Sequence, residues 1–186
     1  MTVETEAVET VARLMVLAAR TAPKAIGEDS ITCRILTGKE QEKLSRQIEL
    51  MGTELGLGFF SVNADQVQKS DATVLIGVAG KSPLGLNCRG CGYPTCEAMK
   101  KAGRAAAKRQ SQYGGPNCIF KVSDLGIAVG SAVKTASIHN VDNRIMFTAG
   151  VAAMALGMLK GCSIAYGIPL KASGKSPYFD VPTIGH

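Results

Sequence analysis

Four of the six cysteines fall in the segment LNCRGCGYPTCEAMKKAGRAAAKRQSQYGGPNC, residues 86–118, where Cys88, Cys91, Cys96 and Cys118 have the spacing C-x2-C-x4-C-x21-C. Thiols this close can form disulfides, hold a structural zinc or hold an iron–sulfur cluster. Zinc usually takes its thiolates as two separated pairs. Here three are sequential and one is remote, which suits a loop wrapped around three corners of a cubane while a distant segment supplies the fourth. Four cysteinates are the standard ligand set of a [4Fe-4S] cluster. Gly90 and Gly92 let the backbone approach the inorganic sulfides and hydrogen-bond to them. Pro94 bends the chain before Thr95, which is placed to cap a helix beginning at Glu97. That helix would turn its N-terminus toward the thiolates, where its dipole favours negative charge.

The rest of the composition narrows the setting. A chain of 186 residues with 46% apolar content can bury a core without covalent staples. The first ten residues, MTVETEAVET, carry acids where a signal peptide would carry Lys or Arg. This predicts a cytoplasmic location, where clustered cysteines bind metal or do redox chemistry more often than they form disulfides. The uncharged run Ile145–Leu159 is bracketed by Arg144 and Lys160 and falls short of the ~20 residues a bilayer needs. It reads as a buried helix, with no membrane partner. Net charge of +6 with 5% aromatics and no Trp leaves little for stacking bases, so no nucleic-acid partner is expected.

The elements that must position the cysteines follow from periodicity. Apolar Val11, Leu14, Met15 and Ala18 make one face of a helix over Val8–Ala22, ended by Pro23. Ile31–Leu36 reads as a strand, and Lys39–Leu55 as an amphipathic helix burying Leu44, Ile48 and Leu55. Ala72–Ala79 is a nearly continuous apolar run, as in a strand covered on both faces. After the cysteine segment, CIFKV is a short strand candidate. Asp124 is a candidate cap for a helix to Ile138, and Asn140 or Asp142 for another to Lys160; both helices are rich in small residues and able to pack closely. Cys162–Ile168 reads as a strand and the tail as loop, with Pro177 and Pro182 against regular structure. Strands separated by helices predict a single layered domain, α/β or α+β, over 1–186, with the iron–sulfur module of 86–118 inside it. The two Gly-Lys-Ser-Pro stretches at Gly80 and Gly174 lack the first glycine of a P-loop and read as turns.

Other residues need weighing. Cys33 and Cys162 lie in apolar runs and read as small core residues. Lys100, Arg104 and Lys108 follow at four-residue steps with Lys101 beside them, while Ala98, Met99, Ala102 and Ala105 take the opposite side. That stripe is either a solvated face or a landing surface for an acidic redox partner protein. In SIHNVDNR, His139 can satisfy a loop carbonyl and Arg144 lie at the surface, or the segment can line a pocket at a helix N-terminus. His186 is the other histidine.

NCRGCGYPTCEAM resembles the CxxCGxPxC signature of the four-iron domains of the Rnf B subunit and of the corrinoid iron–sulfur subunit of acetyl-CoA decarbonylase/synthase. That resemblance implies a [4Fe-4S] cluster on three clustered cysteines and one later cysteine. The whole chain, including GPNCIFKVSDLGIAVGSAVKTASIHNVDNRIMF, resembles the family of ferredoxin domain-containing proteins. VLAARTAPKA and CSIAYGIPL are also similar to segments of the flavin-dependent nitroreductase family. This implies a nitroreductase-like fold, a homodimer and FMN at the subunit interface, with Lys24 standing where a Ser usually contacts the flavin and Arg20 one turn before it.

Together these readings predict an iron–sulfur redox protein that transfers single electrons through one [4Fe-4S] cluster held by Cys88, Cys91, Cys96 and Cys118, to a flavin or small substrate at a homodimer interface. The alternative is a non-catalytic binding or assembly module whose cluster is structural or oxygen-sensing.

Overall fold

Thr2 accepts the N–H of Thr5 and starts helix α1, Val3–Thr21, which begins five residues earlier than its apolar periodicity implied. The computed structural model describes residues 2–106 and 112–179. Lys108, Pro182 and His186, and the side chain of Ala105, lie outside the described residues. Val11 and Met15 of α1 face inward as expected, but Leu14 is exposed. A short 3-10 turn, Ala25–Gly27, leads into strand β1, Ile31–Leu36. Helix α2, Gly38–Leu55, buries Leu44 and Ile48 and leaves Leu55 in water. Helix α3, Phe59–Gln68, has no counterpart in the sequence reading. Strand β2, Ala72–Val78, is buried at every position, as its unbroken apolar run required.

After the cysteine segment come helix α5, Ile119–Ile138, the two-residue strand β3, Asp142–Asn143, helix α6, Phe147–Ala155, and strand β4, Ile164–Lys171. Four expectations are corrected here. CIFKV is the first turn of α5, because Cys118 takes an extended conformation and its carbonyl accepts the N–H of Val122 at 3.1 Å. Asp124 therefore lies inside α5, where it turns inward to the N–H of Ala25 at 2.9 Å. Asp142 pairs with Lys171 across the sheet, and α6 starts behind Met146 with no side-chain cap. That helix stops at Ala155 because Gly157 adopts φ 69°.

The sheet has the order β1-β2-β4-β3 and every pairing is antiparallel, so the layered domain is of the mixed α and β kind without parallel crossovers. Ala72, Val74, Ile76 and Val78 of β2 face α1 and α5. Leu75 faces the opposite layer of α2, α3 and α6. Two cores thus share one sheet. The small residues of α6 matter for close approach. A Cβ at Gly150 would lie 1.9 Å from the carbonyl oxygen of Ala165, so this helix rests backbone against strand on β4. No helix among the described residues is long and apolar enough to cross a membrane.

Candidate metal centre

The cysteine segment leaves the sheet at the end of β2. Ala79 donates its N–H to Ser30, and Gly80–Pro83 makes a turn closed by the N–H of Ser82 on the carbonyl of Ala79 at 3.1 Å. The expected turn at Gly80 is therefore present. The chain returns through Cys118, whose N–H reaches the carbonyl of Gly80 at 2.8 Å. Beside this neck, Gly114 donates to the carbonyl of Ser163, Asn117 Nδ2 donates to Gly114, and Ser163 Oγ donates to Asn117 Oδ1. The exit and the return of the segment are tied together and to the start of β4.

Within the loop, Asn87 and Arg89 have positive φ without being glycine, at 47° and 62°. Such backbone is strained and persists where the surroundings determine it. Asn87 shows one source of that constraint: its Oδ1 accepts the N–H of Cys96 at 2.8 Å. The N–H of Gly92 returns to the carbonyl of Arg89 at 2.9 Å, closing the turn that contains Cys91. Helix α4, Cys96–Ala106, follows, and Thr95 Oγ1 accepts the N–H of Ala98 at 3.1 Å, the cap expected of it.

The remote cysteine comes back to this loop. A Cβ at Gly90 would stand 2.8 Å from Ile119 Cγ2 and 3.7 Å from Cys88 Sγ, so the turn between Cys88 and Cys91 lies directly against the residue after Cys118. Gly90 is needed here for closeness. Cys88 is exposed, Cys91 and Cys96 are half-buried and Cys118 is buried. Cys96 is the first residue of α4 and Cys118 the N-cap of α5, so both sit at helix N-termini, which carry partial positive charge. Cys118 makes no side-chain capping hydrogen bond, which leaves its sulfur for other chemistry.

Among the described residues no group of three or more Cys, His, Asp or Glu side chains forms an arrangement that could hold a metal ion as it stands. What the fold supplies is the gathering of the four backbone positions in one region, with a four-thiol donor set of the type that binds iron–sulfur clusters.

The remaining candidates take structural places. Cys33 packs toward the α1 and α5 core and Cys162 toward the other. Burial pushes the Cys33 thiol up to about 11 and raises that of Cys162. Arg20 bonds the carbonyl of Ile31 and pairs with Asp29, and Lys24 Nζ donates to the last carbonyls of α1, including Arg20 at 2.6 Å. His139 is exposed at the end of α5. Arg144 is not a free surface cation: it donates to Gln66 Oε1 and to the carbonyl of Tyr178 and lies over the ring of Phe179. The sequence reading passed over Asn87, Asn117 and the buried Lys121, and took the buried Asp124 for a helix cap. An Asn next to a cysteine ligand candidate was the one local signal among them.

The family described as "Uncharacterized protein containing a ferredoxin domain" (DUF2148) matches residues 114–181, a stretch that includes Cys118 and begins after the other three clustered cysteines. A protein of Archaeoglobus fulgidus, described as uncharacterized, is 45% identical over 175 residues, covering 94% of this chain and 92% of its own. The chain belongs to this ferredoxin-domain family. Its fold is nitroreductase-like. Nitroreductase CinD from Lactococcus lactis, solved in complex with nicotinic acid, aligns over 90% of this chain and 79% of its own at TM-score 0.59 and 13% identity. A putative nitroreductase from Desulfovibrio desulfuricans in complex with FMN aligns over 90% and 76% at TM-score 0.54 and 11% identity. Nitroreductase A from Vibrio parahaemolyticus gives TM-score 0.55 at 12% identity over 91% of this chain, which spans 60% of that protein. At these identities the likeness is one of fold. The member of the ferredoxin-domain family described here therefore sets its cysteine segment between β2 and α5 of a nitroreductase-like sheet.

Proposed function

We propose that this ferredoxin-domain protein holds a [4Fe-4S] cluster on Cys88, Cys91, Cys96 and Cys118 and acts as a single-electron redox protein. The observation that carries the reading is the return of Cys118 to the loop of the other three, through the Gly80 hydrogen bond and the packing of Ile119 on Gly90. When bound, such a cluster supplies one-electron chemistry at a potential set by its charge, solvent exposure and hydrogen bonds to sulfur. The chain's own residues would set those conditions. The N-termini of α4 and α5 offset the negative charge of thiolates at Cys96 and Cys118. Asn87 fixes the backbone at Cys96, and the neck at Gly80 and Asn117 holds the segment to the sheet. Cys88 is exposed beside the exposed side chains of Leu86 and Ile119, an edge at which a redox partner protein could dock briefly.

Transfer onward to a flavin or small substrate between two copies belongs to the same proposal. In the structure Arg20 bonds the carbonyl of Ile31 and pairs with Asp29, and Lys24 bonds the carbonyl of Arg20 at the end of α1.

The test is anaerobic purification with iron, acid-labile sulfide, zinc and flavin quantified together, followed by EPR of the reduced protein. Iron and sulfide in equal amounts with a reduced-cluster signal support the reading. Zinc without acid-labile sulfide overturns it, and absence of flavin reduces the role to a carrier.

A further inference from the structure

Some cations described in this chain have a carboxylate opposite them, among them Arg20 with Asp29, Arg34 with Glu40, Lys69 with Asp65, Lys121 with Glu28 and Lys171 with Asp71. Lys81, Lys100 and Arg104 have none among the described residues, and all three line one recess of about 440 Å³ between the Gly80–Pro83 turn and α4. Two of them belong to the basic stripe of the sequence, which therefore bounds a concave space and is not simply a flat face. Met99, almost wholly buried, and Pro116 give the recess an apolar wall, and Ser82 adds a hydroxyl.

Like charges gathered around one space repel, and an anion between them relieves the repulsion. The recess has the size of a small-molecule site. An Arg fork, two ammonium groups and a hydroxyl supply more donors and charge than a single carboxylate uses. They suit the three terminal oxygens and two negative charges of a phosphate monoester. Lys81 also lines a neighbouring recess of about 300 Å³ with Met51, Val151, Met154 and Cys162, so apolar space continues on its far side.

We infer that the Lys81–Lys100–Arg104 recess is a binding site for a small phosphate monoester with a compact apolar body. The phosphate lies among the three cations and the body covers Met99 and Pro116 or extends past Lys81 toward Met154. The site is independent of whether the cysteines carry a cluster.

The test is calorimetric titration of the full chain at low ionic strength with phenyl phosphate and, separately, with inorganic phosphate. Saturable binding of one phenyl phosphate per chain, tighter than inorganic phosphate, is expected. Lys81→Gln and Arg104→Gln should each weaken it about tenfold, the loss of one charge-assisted contact. Lys134→Gln, at an exposed position on α5, should leave it unchanged. Thermal melts confirm that each variant is folded. Failure to saturate, or equal weakening by all three substitutions, overturns the site. So does binding of a hexaglutamate peptide without binding of phenyl phosphate, which would assign the recess to an acidic protein surface.

Discussion

Cys118 donates its backbone N–H to the carbonyl oxygen of Gly80 at 2.8 Å, so the chain leaves β2 and enters α5 through a single closed neck. Everything between these residues is an excursion whose ends are fixed by the sheet and not by its contents. The thiols can therefore be altered with little consequence for the two cores, provided the altered side chain is exposed.

Cys88 meets that condition. Cys88→Ser should lower iron and acid-labile sulfide content while moving the urea stability by less than about 0.5 kcal/mol, the usual range for exposed sites. Asn87→Ala should speed loss of iron to a chelator, because the N–H of Cys96 loses its acceptor, and Asn87→Asp should largely preserve retention. A Cys88→Ser protein with undiminished iron would remove Cys88 from the ligand set.

Gly150 and Gly126 should respond in opposite directions. A Cβ at Gly150 meets the carbonyl oxygen of Ala165 at 1.9 Å, and backbone on both sides prevents easy relief. Gly150→Ala should cost about 3 kcal/mol in urea unfolding, at the upper end of overpacking effects. Gly126, in α5, has open space where its Cβ would go. Gly126→Ala should stabilise by roughly 0.5 to 1 kcal/mol through helix propensity.

The sheet was the most legible part of this sequence, and the reasons are local. Ile31–Leu36 forms the strand its residues suggest, and the unbroken apolar run of Ala72–Val78 can only be satisfied by cover on both faces. CIFKV misled because its β-branched and aromatic composition says nothing about the neck hydrogen bond that sets Cys118 as a helix cap. Helix α3 was hidden because part of its inward face is polar: Asn63 bonds Thr148, and Gln66 bonds the carbonyl of Tyr178. At the candidate site, spacing alone singled out Cys88, Cys91 and Cys96 as ligand candidates. The carboxamides and glycines that hold them depend on contacts distant in sequence, such as Gly90 on Ile119.

Lys121 is one of those distant dependencies. Its side chain is 0% exposed and pairs with Glu28 at 2.8 Å, while Glu28 is 52% exposed. Removing the carboxylate leaves a buried cation without its partner. Replacing the lysine leaves a carboxylate that water can solvate. Glu28→Gln should therefore destabilise by about 2 kcal/mol, less than for a fully buried pair because Glu28 is half in water. Lys121→Met should cost less. Chemical denaturation of both variants decides the order, and a larger loss in Lys121→Met would show that packing of the lysine stem outweighs the charge.

Cys33 gives the fold a pH dependence with a definite sign. Burial raises its thiol from an ordinary value of 9.0 to about 11, against a smaller opposing pull from the Arg20 cation. The folded chain thus keeps a proton that the unfolded chain releases. The stabilisation this represents is complete below pH 9 and is lost as pH rises toward about 11. Cys33→Ala removes this contribution, so its urea midpoint should fall less steeply than that of the parent across the same interval. Tyrosines and lysines titrate in both proteins and cancel in the comparison, whereas Cys162, raised by burial on the other side of the sheet, keeps part of the slope in the variant. Parallel curves for the two proteins would mean that the Cys33 thiol ionises as freely in the fold as in the open chain.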